Sequence, residues 1–193
     1  MHALELRRQI IHLLYGPLLI VLFDRGILNL PLLFALVLIG GGTSYCIKHH
    51  RLSWVRWALL WLERPHHLEQ FPARGLLFFT LGAFLNLLLF DPLIAYAGIM
   101  VLSVGDAVAN IAGRHFGKLK TRLNPEKSLE GTVLGILVSI PAAYYFVPYL
   151  WGTIAAATVG MFLEIPRIRI FGFEIDDNLL IPIAASFTLS LFA

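Results

Sequence analysis

Pro92-Leu-Ile-Ala-Tyr-Ala-Gly98-Ile-Met-Val-Leu102-Ser-Val-Gly105-Asp106-Ala-Val-Ala-Asn110-Ile-Ala-Gly113 is an apolar run with one carboxylate inside it. It is long enough for the roughly 20-residue crossing of a bilayer. Six further apolar runs flank it: Ile10–Phe23, Ile27–Ile47, Gly75–Phe90, Thr132–Tyr149, Leu150–Ile165 and Leu179–Ala193. Several fall short of a full crossing and must borrow flanking residues or lie in locally thinned bilayer. The whole chain of 193 residues is 58% hydrophobic and 14% charged, with a mean hydropathy of +0.77. A soluble domain averages about 45–50% apolar and about 25% charged residues. Leu, Ile, Val and Phe are too abundant for disorder. These values predict an all-α, polytopic membrane helix bundle of about seven transmembrane helices, a single domain over residues 1–193 without room for a soluble one. The single cysteine, Cys46, cannot form an internal disulfide.

Charge distribution orients the spans. Arg7 and Arg8 precede the first run as in a secretory signal, but no small-x-small cleavage site follows, so the run reads as an uncleaved span. Seven spans sort 14 of the 15 Lys and Arg residues to one side and leave Arg25 alone on the other. Basic residues mark the cytoplasmic side of short loops, which places the N-terminus in the cytoplasm and the C-terminus outside. A six-span alternative merges the runs around Pro148. The cytoplasmic loop 48–74 carries Trp54, Trp57 and Trp61 on one helical face, the pattern of an interfacial helix. No nucleic-acid partner is expected, and the oligomeric state is open.

The densest basic stretch, Arg114–Lys127, follows the intramembrane acid. Its bland reading is topology and contact with anionic lipid. An ionisable residue within a span, however, marks a functional site by default. Asp106, Asn110 and Arg114 recur every four residues and share a face. The competing structural reading pairs Asp106 with Arg114 or with backbone. Gly98, Gly105, Ala109, Ala112 and Gly113 allow close helix approach. Next comes Lys127-Ser128-Leu-Glu130-Gly131-Thr132, with Ser128 as N-cap and Glu130 in the first turn. Capping alone explains those two. A helix N-terminus beside lysine is also an anion site, and acids there are compatible with phosphate once a divalent cation bridges them. Loop 114–131 therefore reads as a site for a Mg2+-bound nucleoside triphosphate. No Walker A pattern is present, which excludes a P-loop enzyme. Glu5, Arg8 and His12 share a face of the first helix, Glu164 closes the sixth, and Asp176-Asp177-Asn178 opens the last. Acids converging there suit a metal, although Asp at a helix start also compensates the dipole. His66-His67 reads as an exposed loop pair, and Gly40-Gly-Gly42 as a packing feature.

Glu5-x-x-Arg8-x-x-x-His12, Pro72-x-Arg74-Gly75, Gly105-Asp106, Gly113, Gly117-Lys118, Lys127-Ser128-x-Glu130-Gly131-Thr132 and Asp177-Asn178-x-x-x-Pro182 occur in this order. With them the chain resembles the integral-membrane CTP-dependent lipid kinases: dolichol kinase, phytol kinase and CTP-dependent diacylglycerol kinase. The phosphatidate cytidylyltransferases are distantly similar. Two departures stand out. Gln9 replaces a frequent Lys, and Ala73-Arg74-Gly75 replaces Gly-Lys-Gly. The resemblance implies phosphorylation of a membrane lipid alcohol by CTP, with Mg2+ and the bilayer as partners and the site on the cytoplasmic face. Asp106, Lys127 and Glu130 are the expected catalytic residues. Arg8, Arg114, Gly117, Lys118, Lys127, Ser128, Gly131 and Thr132 are expected at the nucleotide, and Asp106, Glu130 and Asp177 at the metal. Glu5, His12, Asn110, Gly113 and Asn178 are expected to support them. A cytidylyltransferase and a small membrane transporter are the alternatives.

Overall fold

A computed structural model of the chain describes residues 3–49, 53–63, 65–170 and 173–192. The described residues form ten α-helices in chain order. These are α1 (Ala3–Asp24), α2 (Leu30–Lys48), the short α3 (Ser53–Leu59) and α4 (Pro65–Gln70), α5 (Arg74–Leu89), α6 (Pro92–Met100), α7 (Ala107–His115), α8 (Leu129–Tyr144), α9 (Leu150–Leu163) and α10 (Asp177–Ser190). A π-helical segment, Val101–Asp106, joins α6 to α7. The three read as one continuous helix, Pro92–His115. The departure from an all-α chain is a ribbon in which Arg169–Ile170 (β1) pairs antiparallel with Phe173–Glu174 (β2).

Local chemistry sets the helix starts. Asn29, Asp91, Ser128 and Asp176 each accept a backbone N–H from the first turn of the helix they precede, and Pro31 and Pro92 occupy first-turn positions where no N–H is needed. Pro17 lies inside α1 and removes the donor that the Leu13 carbonyl would otherwise receive. The Ser103 hydroxyl of the π segment meets that carbonyl at 3.1 Å and the neighbouring His12 carbonyl at 2.8 Å.

The helix Pro92–His115 is the centre of the bundle. α6 packs on α10 and α8, the π segment on α8, α1 and α9, and α7 on α8 and α1. Small residues set the separation. A Cβ on Gly105 would lie 2.3 Å from Ser139 Oγ, and one on Gly131 would lie 2.4 Å from the Ala109 carbonyl. Of the glycine run in α2, Gly40 faces Leu77 and the other two face open space.

Three helices are long and apolar enough to cross a membrane: Ala3–Asp24, Leu30–Lys48 and Pro92–His115. The apolar helices Arg74–Leu89, Leu129–Tyr144 and Leu150–Leu163 are shorter. The central helix has 67% of its apolar window buried, α2 only 17%. An apolar helix so little covered by protein needs an apolar solvent outside. α3 forms as the tryptophan spacing predicts, and Trp54 and Trp57 are exposed. Trp61 lies just past its end, with the Arg7 guanidinium 5.1 Å from its ring centre.

Candidate active site

At one end of the bundle the helices part around a cavity of about 540 Å³. It is lined by the first half of α1, the starts of α5 and α10, α7, and the loops before α8 and after α9. Asp106 and Asn110 come from the central helix. Asn110 Nδ2 donates to Asp106 Oδ1 at 2.8 Å and to the Asp106 carbonyl at 2.9 Å. This leaves the Asn110 amide oxygen facing Lys127, whose ammonium donates to it at 3.1 Å.

Lys127 is the hub. Its ammonium donates to Asp106 Oδ1 at 3.4 Å and to Glu164 Oε1, and stands 3.9 Å from Asp177 Oδ2. Burial disfavours the charged amine, but these carboxylates outweigh it and hold the Lys127 pKa above the ordinary lysine value. It is the counter-ion of an acidic cluster drawn from three separate elements. Its backbone is fixed by a tight turn: Lys127 N–H donates to the Asn124 carbonyl, and the Lys127 carbonyl accepts from Thr121 N–H.

The α1 face converges on the same place. Glu5 accepts from Arg8 at 3.2 Å and from Gln9 at 3.0 Å, and Arg114 lies 3.3 Å from it. Arg114 thus pairs with α1 and not with Asp106, the partner that the structural reading of the sequence offered. His12 Nε2 stands 3.5 Å from Asp106 Oδ2. On the far wall Asp176 accepts from Arg74 at 2.8 Å and from Asn178 at 2.7 Å.

Of the site residues expected from the resemblance, Glu5, Arg8, His12, Asp106, Asn110, Arg114, Lys127, Asp177 and Asn178 line this cavity. The others do not. Glu130 turns away, and its carboxylate accepts the backbone N–H groups of Lys118 and Leu119. Lys118 is exposed beyond it. The Ser128 side chain accepts from Gly131 N–H, and the Ser128 carbonyl takes both the amide and the hydroxyl of Thr132. Leu129 N–H donates to the Leu119 carbonyl. The N–H groups of Leu129, Gly131 and Thr132 at the start of α8 are thus consumed internally, and this helix start closes the loop. Gly113, Gly117 and Gly131 pack there: a Cβ on Gly117 would meet the Gly113 carbonyl at 2.2 Å.

Glu164, Asp176, Arg74 and Glu63 join the cavity although the expected set of site residues lacked them. Glu164 had a signal, being an acid at the end of an apolar helix. Glu63 stands out in the sequence only as an acid near His66-His67, a weak suggestion of metal; its carboxylate accepts the N–H of Ala73, which sits in the left-handed region at φ 58°. The side chains of His66 and His67 lie outside the described residues.

Eight carboxylates and five cationic side chains line the cavity. That excess of acid repels a polyphosphate unless divalent cations accompany it. Among the described residues no three acids or imidazoles form a ready-made metal cage. Magnesium, however, uses one or two carboxylates together with substrate phosphates. Glu164 Oε2 is buried without a donor and is a fitting oxygen. The donor set therefore fits Mg2+ brought in with a phosphate ligand.

The chain is 32% identical over 191 residues to an uncharacterized protein of Methanocaldococcus jannaschii, covering 96% of this chain and 93% of that one. It is 29% identical over 129 residues to a probable phytol kinase 1 of Glycine max, covering 58% and 41%. It is 26% identical over 133 residues to CTP-dependent diacylglycerol kinase 1 of Schizosaccharomyces pombe, covering 61% and 59%. The chain thus spans less than two thirds of these two kinases. No family model matches the chain, and no solved structure does.

Proposed function

The chain belongs to the CTP-dependent lipid kinase family, which includes phytol kinase, diacylglycerol kinase and dolichol kinase, and from that membership we propose that it phosphorylates the hydroxyl of a membrane lipid alcohol with CTP. The lipid would be a polyprenol, phytol or a related prenyl alcohol, or a diacylglycerol. The observation that carries this reading is the convergence of Asp106, Lys127, Glu164 and Asp177 from separate elements on one cavity, which the apolar side chains of Ile11, Leu76 and Phe79 also line.

In the proposed reaction the alcohol oxygen bonds to the γ-phosphorus of CTP. The bond from that phosphorus to the β–γ bridging oxygen breaks, and CDP leaves. Asp106, oriented by Asn110 and beside His12, takes the alcohol proton. Lys127, Arg8 and Arg114 bind phosphate oxygens, giving up part of their present carboxylate partners. Glu164 and Asp177 would hold Mg2+, which supplies charge neutralisation; the metal role considered for Glu130 passes to Glu164. Glu5 and Asn178 position their neighbours. Lys118, Gly117, Gly113, Ser128, Gly131 and Thr132 shape the loop that presents Lys127. Phosphoryl transfer needs such positioning and electrostatics more than covalent help. We place the chain in the bilayer as one domain of seven spans, with the N-terminus and the cavity on the cytoplasmic side.

The test is purified protein with a panel of lipid alcohols and CTP or ATP. Lipid monophosphate and CDP are expected, and Asp106→Asn should abolish turnover with the fold intact. Release of pyrophosphate would make it a cytidylyltransferase and overturn the proposal. Near-normal activity of Asp106→Asn would remove Asp106 from the chemistry.

A further inference from the structure

The lipid must bring its hydroxyl to the carboxylate cluster while its hydrocarbon chain stays in an apolar surrounding. We propose that it does so from the side, through a portal between α1 and α5 flanked by Ile11 and Leu76. This proposal rests on the lipid kinase reading and names the route by which that substrate arrives. Ile11 and Leu76 both line the cavity and are also 39% and 49% exposed, so each borders the cavity on one side and the exterior on the other. Two apolar side chains in that position mark an opening toward hydrocarbon, because an opening meant for a nucleotide would be rimmed by charge.

The helices on either side are joined to other partners. α1 packs on the π segment, α7 and α6, and α5 packs on α2, α6 and α10. What joins α1 to α5 is a set of contacts one turn deeper than Ile11 and Leu76. The Tyr15 hydroxyl and Thr80 Oγ1 share a hydrogen bond of 2.8 Å, and Phe79 meets the rings of Tyr15 and His12 edge-on, 5.1 and 4.8 Å between centres. Thr80 lies four residues after Leu76, as Tyr15 lies four after Ile11, so the Tyr15–Thr80 bond is the floor of the portal. Its inner wall is Phe79 and His12. A hydroxyl passing between Ile11 and Leu76 arrives at His12, 3.5 Å from the Asp106 carboxylate, while its hydrocarbon chain trails outward. The charged part of the lining, with Arg74 and the ion pair of Arg167 with Glu126 at 3.0 Å, is left to the nucleotide.

The experiment narrows the portal with Ile11→Trp and Leu76→Trp. Both positions are exposed, so the larger ring is accommodated outside the packed bundle. Leu18→Trp and Leu88→Trp, each 52% exposed on the same two helices, are the controls. With CTP as donor in phosphatidylcholine vesicles, the portal variants should raise KM for a twenty-carbon prenyl alcohol at least tenfold. KM for CTP, and kcat with a water-soluble five-carbon prenyl alcohol, should stay within twofold. Equal losses with both acceptors, or no loss with either, would overturn the portal. A second measurement needs no turnover: a twenty-carbon alcohol with a diazirine in its tail is photolysed in the same vesicles. Adducts are expected within residues 11–15 and 76–80 and should be lost in the Trp variants; adducts elsewhere overturn the portal. Labelling at the portal without any kinase activity would defeat the proposed reaction and leave the portal standing. Turnover without such labelling would do the reverse.

Discussion

Replacing Lys127 by Met removes the one cation, among the described residues, that Asp106, Glu164 and Asp177 share. The Lys127 side chain is 15% exposed and that of Glu164 only 1%, so water cannot substitute for the lost ammonium. Taking one partner from a buried ion pair costs about 3–5 kcal/mol, because a charge is left uncompensated. For a chain of this length each kcal/mol lowers Tm by about 2–4 °C, which predicts a drop of about 6–20 °C in detergent. Within the cluster the loss should fall mainly on Glu164. Asp106 keeps the Asn110 amide, whereas Glu164 Oε2 already has no donor. Adding Glu164→Gln to Lys127→Met should therefore restore part of the loss, although the same change alone destabilises the protein. The assay is a double-mutant cycle of thermal melts, with a coupling of about 0.5–3 kcal/mol expected. Changes that add to within about 0.5 kcal/mol would refute the idea that Lys127 is held as the counter-ion of Glu164.

Gly131→Ala brings a Cβ to 2.4 Å from the Ala109 carbonyl and 2.9 Å from Gly113 Cα. Backbone atoms cannot rotate aside, so α8 must shift by about 1 Å with Lys127 attached. The protein should still melt cooperatively while activity falls about 100-fold; unchanged kcat/KM would count against the positioning role of this contact. Burial pushes the Glu63 carboxyl above its ordinary 4.5, against the opposing pull of the Ala73 N–H and of Arg8. The folded state therefore favours the protonated acid: its stabilisation is complete below pH 4.5 and is lost as pH rises through the raised value. Melts of Glu63→Gln and the parent chain should diverge in favour of the variant from pH 4.5 upward, and parallel curves would contradict this. Ala73→Gly relieves a left-handed alanine, worth about 1–2 kcal/mol, against about 0.4–1 kcal/mol of added freedom in the unfolded chain. The net gain of up to about 1.6 kcal/mol should raise Tm by up to about 6 °C, measured in the same detergent.

Element positions were readable from the sequence where apolar runs meet capping residues. Asn29, Asp91, Ser128 and Asp176 begin the helices because each offers a side-chain acceptor where the chain enters an apolar stretch. The run expected to reach Tyr149 stops as helix at Tyr144, since the chain turns before α9 at Pro148. Asp106 was conspicuous as the one carboxylate in its span, and the spacing to Asn110 correctly placed both on one face. The π segment had no such signal, because no residue type announces it. Glu130 and Lys118 show the limit of motif reading. Their spacing is right, but Lys127 precedes the cap in a turn while Glu130 lies in the first helical turn, and the two side chains leave in different directions. Arg74 and Asp176 find each other across most of the chain length, beyond what local pattern can disclose. Ala73 is the instructive case. The departure from the glycine of the Gly-Lys-Gly pattern falls at the one described non-glycine residue with positive φ.

The π-helical segment Val101–Asp106 has a further consequence for how this protein can change. A wider turn accommodates an extra residue, and one residue is about 100° of rotation in an ordinary helix. The helix on one side of it can therefore keep its interlocking with the outer half of the bundle, while the other side presents Asp106 and Asn110 at an independent angle. Structural upkeep and chemistry are put out of phase within a single rod, so substitutions that refit α6 to its neighbours need not rotate the carboxylate away from Lys127.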